Sequence, residues 1–153
     1  MSTRCQIGVC ETEAKLLKPA VLLYRHSDGY PGDLDTGDYG VLVDLVPILR
    51  MFAERRGLSD IEYLGAWLIH GLIELHIERS KGYARQFNFV CADGKDCLGY
   101  GISADFHGDI EYYYAIIPGQ GEPGGELRVY ENRSRTGAPE SIEELGLVKT
   151  IKI

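Results

Sequence analysis

CLGYGISADFHGDIEYYYAIIP, Cys97 to Pro118, is the stretch on which the fold turns. Apolar and small residues alternate from Leu98 to Phe106, and β-branched and aromatic residues fill Ile110 to Ile117. Between them His107-Gly108 stands where a two-residue turn of positive φ belongs, so the pattern is that of a long antiparallel hairpin. With that turn as the whole loop, Phe106 pairs with Asp109, Ile102 with Tyr113, Gly101 with Tyr114 and Gly99 with Ile116. Successive strand residues point to opposite faces. One face then carries Leu98, Tyr100, Ile102, Ala104 and Phe106 beside Tyr113, Ala115 and Ile117, a core face. The other carries Gly99, Gly101 and Ser103 beside Tyr112, Tyr114 and Ile116, where rings lie over glycines and the surface is left for a partner.

Working outward, Gln86 to Ala92 reads as a strand joined to this hairpin through an Asp93-Gly94 turn. Arg4 to Cys10 and Ala20 to His26 are β-rich runs, the second ending in charged and polar residues at a surface edge. Ser27 to Gly40, SDGYPGDLDTGDYG, has no period and reads as a long loop. Leu42, Leu45, Val46, Leu49 and Phe52 recur at helical spacing, with Asp44 as the expected cap, Pro47 in the first turn and Gly57 as the stop. Ser59 and Glu62 form a capping box for a second helix that runs to Gly82. Its first half is apolar nearly all round, which predicts burial, and Gly65 and Gly71 admit a close neighbour. Glu126 to Glu131 is a strand, residues 132–146 a loop with one helical turn, and residues 147–153 a terminal strand. The expectation is a single α+β domain over 1–153, an antiparallel sheet of five to seven strands with two main helices packed on one face.

Composition narrows the function. A chain of 153 residues with formal charge −7 opposes a phosphate backbone, which makes nucleic acid an unlikely general partner. No apolar run is long enough to span a bilayer and MSTRCQIGVC lacks the apolar core of a secretory signal, so the expected location is the cytoplasm. Asn132-Arg133-Ser134 matches a glycosylation sequon that has no meaning there. Four cysteines, Cys5, Cys10, Cys91 and Cys97, lack the spacing of a structural zinc knuckle and are expected as free thiols.

Two His-x-Asp tripeptides, His26-Ser27-Asp28 and His107-Gly108-Asp109, end predicted strands. If the two ends meet, two imidazoles and two carboxylates converge as ligands for a divalent metal that activates water, the basis of a hydrolase or phosphoesterase. The same residues are also what turns select, since His107 tolerates positive φ and Asp28 and Asp109 cap turns. Tyr24, Arg25 and Tyr30, placed near Tyr112 and Tyr114, would hold a small anionic aromatic ligand, whereas an arginine pairing with a loop aspartate explains Arg25 as well. Asp33, Asp35 and Asp38 lack the glycine and glutamate positions of a calcium loop. His70 and Glu74 share a helix face at i, i+4, but the surroundings are apolar and no third ligand is near in sequence, so His70 reads as a core histidine. No nucleophile elbow, phosphate loop or dinucleotide fingerprint is present.

YRHSDGYP at Tyr24 to Pro31, DLVPIL at Asp44 to Leu49 and FHGDIEYYYAI at Phe106 to Ile116 resemble segments of a family of small uncharacterised prokaryotic and phage proteins. The resemblance runs to about Glu131 and implies a shared fold, with nothing about catalysis. The expectation is therefore a binding or regulatory domain, a homo-oligomer using the tyrosine face and the Asp-rich loop to hold a protein partner or small ligand. The alternative is the metal-dependent hydrolase built on His26, Asp28, His107 and Asp109.

Overall fold

The computed structural model describes residues 3–87, 99–134 and 137–153. β1 (Cys5–Val9) and β2 (Val21–Arg25) are followed by α1 (Val41–Arg55) and α2 (Ile61–Phe87). Then come β3 (Tyr100–Ile102), β4 (Tyr112–Pro118), β5 (Gly125–Asn132) and β6 (Leu145–Lys152), with short 3-10 turns at Glu13–Lys15 and Ile142–Glu144. The six strands form one sheet in the order β3-β2-β1-β4-β5-β6. The fold is α+β with both helices on one face, but the sheet is mixed: β1 and β4 run parallel, and the other neighbours antiparallel.

The hairpin expected over Leu98 to Ile117 does not form. β3 pairs with β2, through Arg25↔Tyr100 and Leu23↔Ile102, while β4 is inserted between β1 and β5. A strand with neighbours on both sides has no edge left for β3. Because Ile7 faces Tyr114 across the β1–β4 pair, the face assignment inverts: Tyr114 points at the helices with Ile7 and Ile116, and Tyr113 points away. Tyr100 is buried on the helix side and Ile102, expected in the core, is 79% exposed at the sheet edge. The strand expected from Gln86 fails at its start, since Gln86 and Phe87 are the last residues of α2; Cys91, Cys97 and the Asp93-Gly94 turn lie outside the described residues.

Burial on both faces explains β1. Cys5, Ile7 and Val9 join the main core under the helices, and Gly8 and Cys10 face a second, smaller one. That second core is closed by Leu16 and Leu17 of the β1–β2 connection and by Phe106 and Ile110. Neither sheet face is bare.

α1 buries Leu42, Leu45, Leu49 and Phe52, the stripe its spacing promised. It starts at Val41 rather than at Asp44, because the preceding loop supplies carbonyls for its first amides: Val41 N–H donates to Tyr30 O and Leu42 N–H to Pro31 O, each at 3.0 Å. Asp44 is thus free to turn inward, and Pro47 falls in the second turn, exposed. In α2, Leu64, Leu68 and Leu72 are buried at i, i+4 spacing, while Tyr63 and Trp67 are exposed. Gly65 and Gly71 do admit neighbours: a Cβ on Gly65 would stand 2.8 Å from Val21 Cγ2. His70, expected as a core histidine, instead faces solvent, 3.7 Å from the exposed Glu74 carboxylate. Among the described residues no helix is long and apolar enough to cross a membrane.

Candidate functional site

Gln6 positions the site. Its amide is fully buried in β1 on the side away from the helices, and it grips the segment between β3 and β4 at both ends. Nε2 donates to Asp105 O and Oε1 accepts from the His107 backbone N–H, both at 3.0 Å. A buried amide with both ends engaged is stable there, and each lost partner would cost a desolvation penalty. The loop is thereby pinned beside β2, where Gln6 faces Tyr24 in the β1–β2 register.

The consequence is a patch assembled from three separated stretches. The His107 ring lies stacked on Tyr24, centroids 4.2 Å apart and planes at 23°. The Tyr24 hydroxyl donates to Asp109 Oδ2 at 3.4 Å and lies 3.4 Å from His26 Nδ1. Asp109 is also 3.3 Å from Arg4 Nη1, and its second oxygen is 4.0 Å from His107 Nδ1. Partial burial, followed by the charge of Asp109, holds the Tyr24 phenol above its ordinary value, so it remains a hydrogen-bond donor. His26, His107 and Asp109 are therefore together and exposed. Asp28 belongs elsewhere: it is exposed, with φ at +54°, and its charge acts on His76 of α2.

Arg25 points the opposite way, as alternation along β2 requires. It is 2% exposed on the helix side, donating through Nε to Ser27 O and through Nη2 to the Tyr39 hydroxyl, both at 2.6 Å, and through Nη1 to the Tyr100 hydroxyl. Its guanidinium sits 4.9 Å from the Tyr100 ring centroid. The Tyr39 ring lies against a second guanidinium, that of Arg79 at 4.5 Å, which holds both carboxylate oxygens of buried Asp44. This belt ties β2, β3, α1, α2 and the Ser27–Gly40 loop together. It absorbs Arg25, which is not available to grip a ligand beside Tyr24.

The remaining tyrosines do not share a pocket with Tyr24. Tyr114 is fully buried and donates to Gly29 O at 2.8 Å; Tyr112 is half-buried against the helix-side core. Tyr30 is exposed on the loop, edge-on to Tyr39 with centroids 6.4 Å apart. The free tyrosine face on which a partner or a second copy was to dock is covered, since the chain's own helices lie on one side and its loops on the other. In the Asp-rich loop the side chains serve the turn: Asp33 Oδ1 accepts from Asp35 N–H at 2.9 Å, and Thr36 Oγ1 from Asp38 N–H at 3.3 Å.

Chemically the patch offers two imidazoles, a phenol, a carboxylate and a guanidinium, all suited to hydrogen bonding and stacking. Among the described residues no group of three or more His, Cys, Asp and Glu side chains is placed to hold a metal ion. Burial pushes the Cys5 thiol up to about 12 and raises that of Cys10, so neither presents a thiolate near neutral pH. The Asn132 amide is spent on Ile110 O and Gly137 O, both at 3.0 Å. No protein-family model, curated protein or solved structure matches this chain. Two site residues escaped the sequence reading, Gln6 and Arg4. A lone amide in the apolar run CQIGVC was the available signal for the first; for Arg4, two residues before Gln6, there was none.

Proposed function

We propose that this chain is a binding or regulatory domain whose contact surface is the patch of Arg4, Tyr24, His26, His107 and Asp109, and that its partner is a protein. One observation carries this: a buried glutamine in the central sheet is spent on fixing a loop so that an exposed imidazole stacks on a half-buried phenol. Rigid aromatic groups with polar tips suit recognition, because they give contact area at little entropic cost. The adjoining cleft, along Gly108 to Tyr112 and Glu131 to Ser134, is about 250 Å³. That is below the roughly 300–1,000 Å³ usual for a small-molecule site. A neighbouring groove of about 390 Å³, bordered by Ser103 to Phe106 of the same loop, is lined by none of the five patch residues, so the patch presents a surface, which favours a macromolecular partner.

Cross-linking and capture from cells expressing the chain tests this proposal. A partner held by the wild type and by Trp67→Ala, on the helix surface, but lost by the double variant Tyr24→Ala/His107→Ala is the expected result. Equal capture by all three chains removes the patch from consideration.

A further inference from the structure

At the far end of the sheet from Tyr24 a second, larger cleft of about 590 Å³ opens on the face away from the helices. Its floor is Ile117 and Pro118, one wall is the Gly119–Gly125 loop, and the other is the connection leaving β1. Across it runs a chain of alternating charge. Arg128 is 20% exposed and donates through Nε to Glu126 Oε2 at 2.9 Å, and Glu126 also holds Lys152, its neighbour on β6. The other arm of the guanidinium, Nη1, is taken by the Glu13 carboxylate at 2.5 Å.

Glu13 is an unusual partner. It lies 115 residues away in sequence, on a three-residue 3-10 turn that buries no side chain, and is itself 66% exposed. The Arg128 hydrogen bond and charge hold its carboxyl below the ordinary range, so it is ionised. An ion pair with one member so far in solvent contributes little to stability. A half-buried arginine above an apolar floor, by contrast, is a good receptor for a carboxylate with a hydrocarbon body.

We infer that this cleft is a binding site for a small organic acid, a monocarboxylate with an apolar body. The Glu13 side chain occupies the anion's place on Arg128 until the acid displaces it. The acid's carboxylate bonds to Nη1, and its body lies on Ile117 and Pro118, while Lys152 stays on Glu126 in the same cleft. Glu126, already on the same guanidinium, and Glu11 and Glu122, which line the same cleft, repel a second negative charge and so disfavour phosphate or a dicarboxylate.

Benzoate is the probe, followed by amide NMR titration of the full chain, with benzyl alcohol and inorganic phosphate in parallel. The expected result is saturable benzoate binding that moves the amides of Gly119–Gly125, severalfold tighter in Glu13→Gln and lost in Arg128→Gln. Benzyl alcohol and phosphate should not saturate. The inference is overturned if Glu13→Gln binds benzoate no better than wild type, if neither saturates, or if phosphate binds as well. Because Glu13 is exposed and the variant predicts a gain, a folding defect cannot imitate success.

Discussion

His107 and Tyr24 are separated by 83 positions in the chain, yet their rings stack at 4.2 Å. Neither residue holds the other in place alone. The stack follows from Gln6, which takes the His107 backbone N–H, and from the β1–β2 register, which sets Gln6 opposite Tyr24. A loop so fixed presents its side chains in one arrangement, and binding then costs little further ordering.

Removing the clamp should therefore cost more than its surface neighbours suggest. Gln6→Leu is expected to lower unfolding free energy by about 1–3 kcal/mol, because Asp105 O and the His107 N–H each lose a partner in a buried place. Urea denaturation measures the loss, and hydrogen exchange should show faster opening of residues 103–111 than of β4.

Arg25 is the counterpart on the helix side. Arg25→Ala leaves the Tyr39 and Tyr100 hydroxyls and Ser27 O short of a partner and opens a void, at an expected cost of about 3–5 kcal/mol. Arg25→Met fills the space without the donors and should recover part of that loss. Thermal unfolding of the two variants, ranked wild type, Met, Ala, checks the order.

Much of this architecture was legible because it is periodic. The strands of β1, β2 and β5 and the stripe of α1 follow from local alternation and i, i+4 spacing, which depend only on near neighbours. The choice of partner for β4 is not local. Tyr112, Tyr113 and Tyr114 are assigned to faces by register with Cys5, Gln6 and Ile7, more than 100 residues away, and a turn-like His-Gly gave a closer but wrong pairing. His26, His107 and Asp109 gather around Tyr24 through a loop contact and not through a hairpin, but without Asp28, and among the described residues they form no group placed to hold a metal ion. Gln6 was read only as part of the first strand, and its structural role comes from partners about 100 residues away, Asp105 O and the His107 N–H.

A glycine in β1 gives a sharper steric check. A Cβ on Gly8 would stand 2.3 Å from the Tyr113 hydroxyl, which donates to Leu16 O at 2.8 Å. Gly8→Ala should cost about 1–3 kcal/mol as that phenol is pushed from its acceptor, and Gly8→Ala/Tyr113→Phe should recover part of it. A double-mutant cycle by chemical denaturation reads the coupling.

Stability should also depend on His76. Burial first, then the charge of Arg25, holds its imidazole below the ordinary value of about 6.5, and Arg79, Asp28 and Asp44 act on it as well. Between the two values the unfolded chain binds a proton that the folded chain refuses, so acidification below about pH 6.5 favours unfolding and stability rises with pH across that window. His76→Gln should flatten this part of the profile. An unchanged slope would assign it to another histidine.

The affinity of the chain for its captured partner is the most direct measure of the patch. His107→Ala should keep the far-UV circular dichroism of wild type and weaken binding about tenfold or more, roughly 1.4 kcal/mol, while Trp67→Ala binds as wild type does. Full affinity in His107→Ala and Tyr24→Ala, with loss in Trp67→Ala, would place the contact surface on the helices and contradict the account.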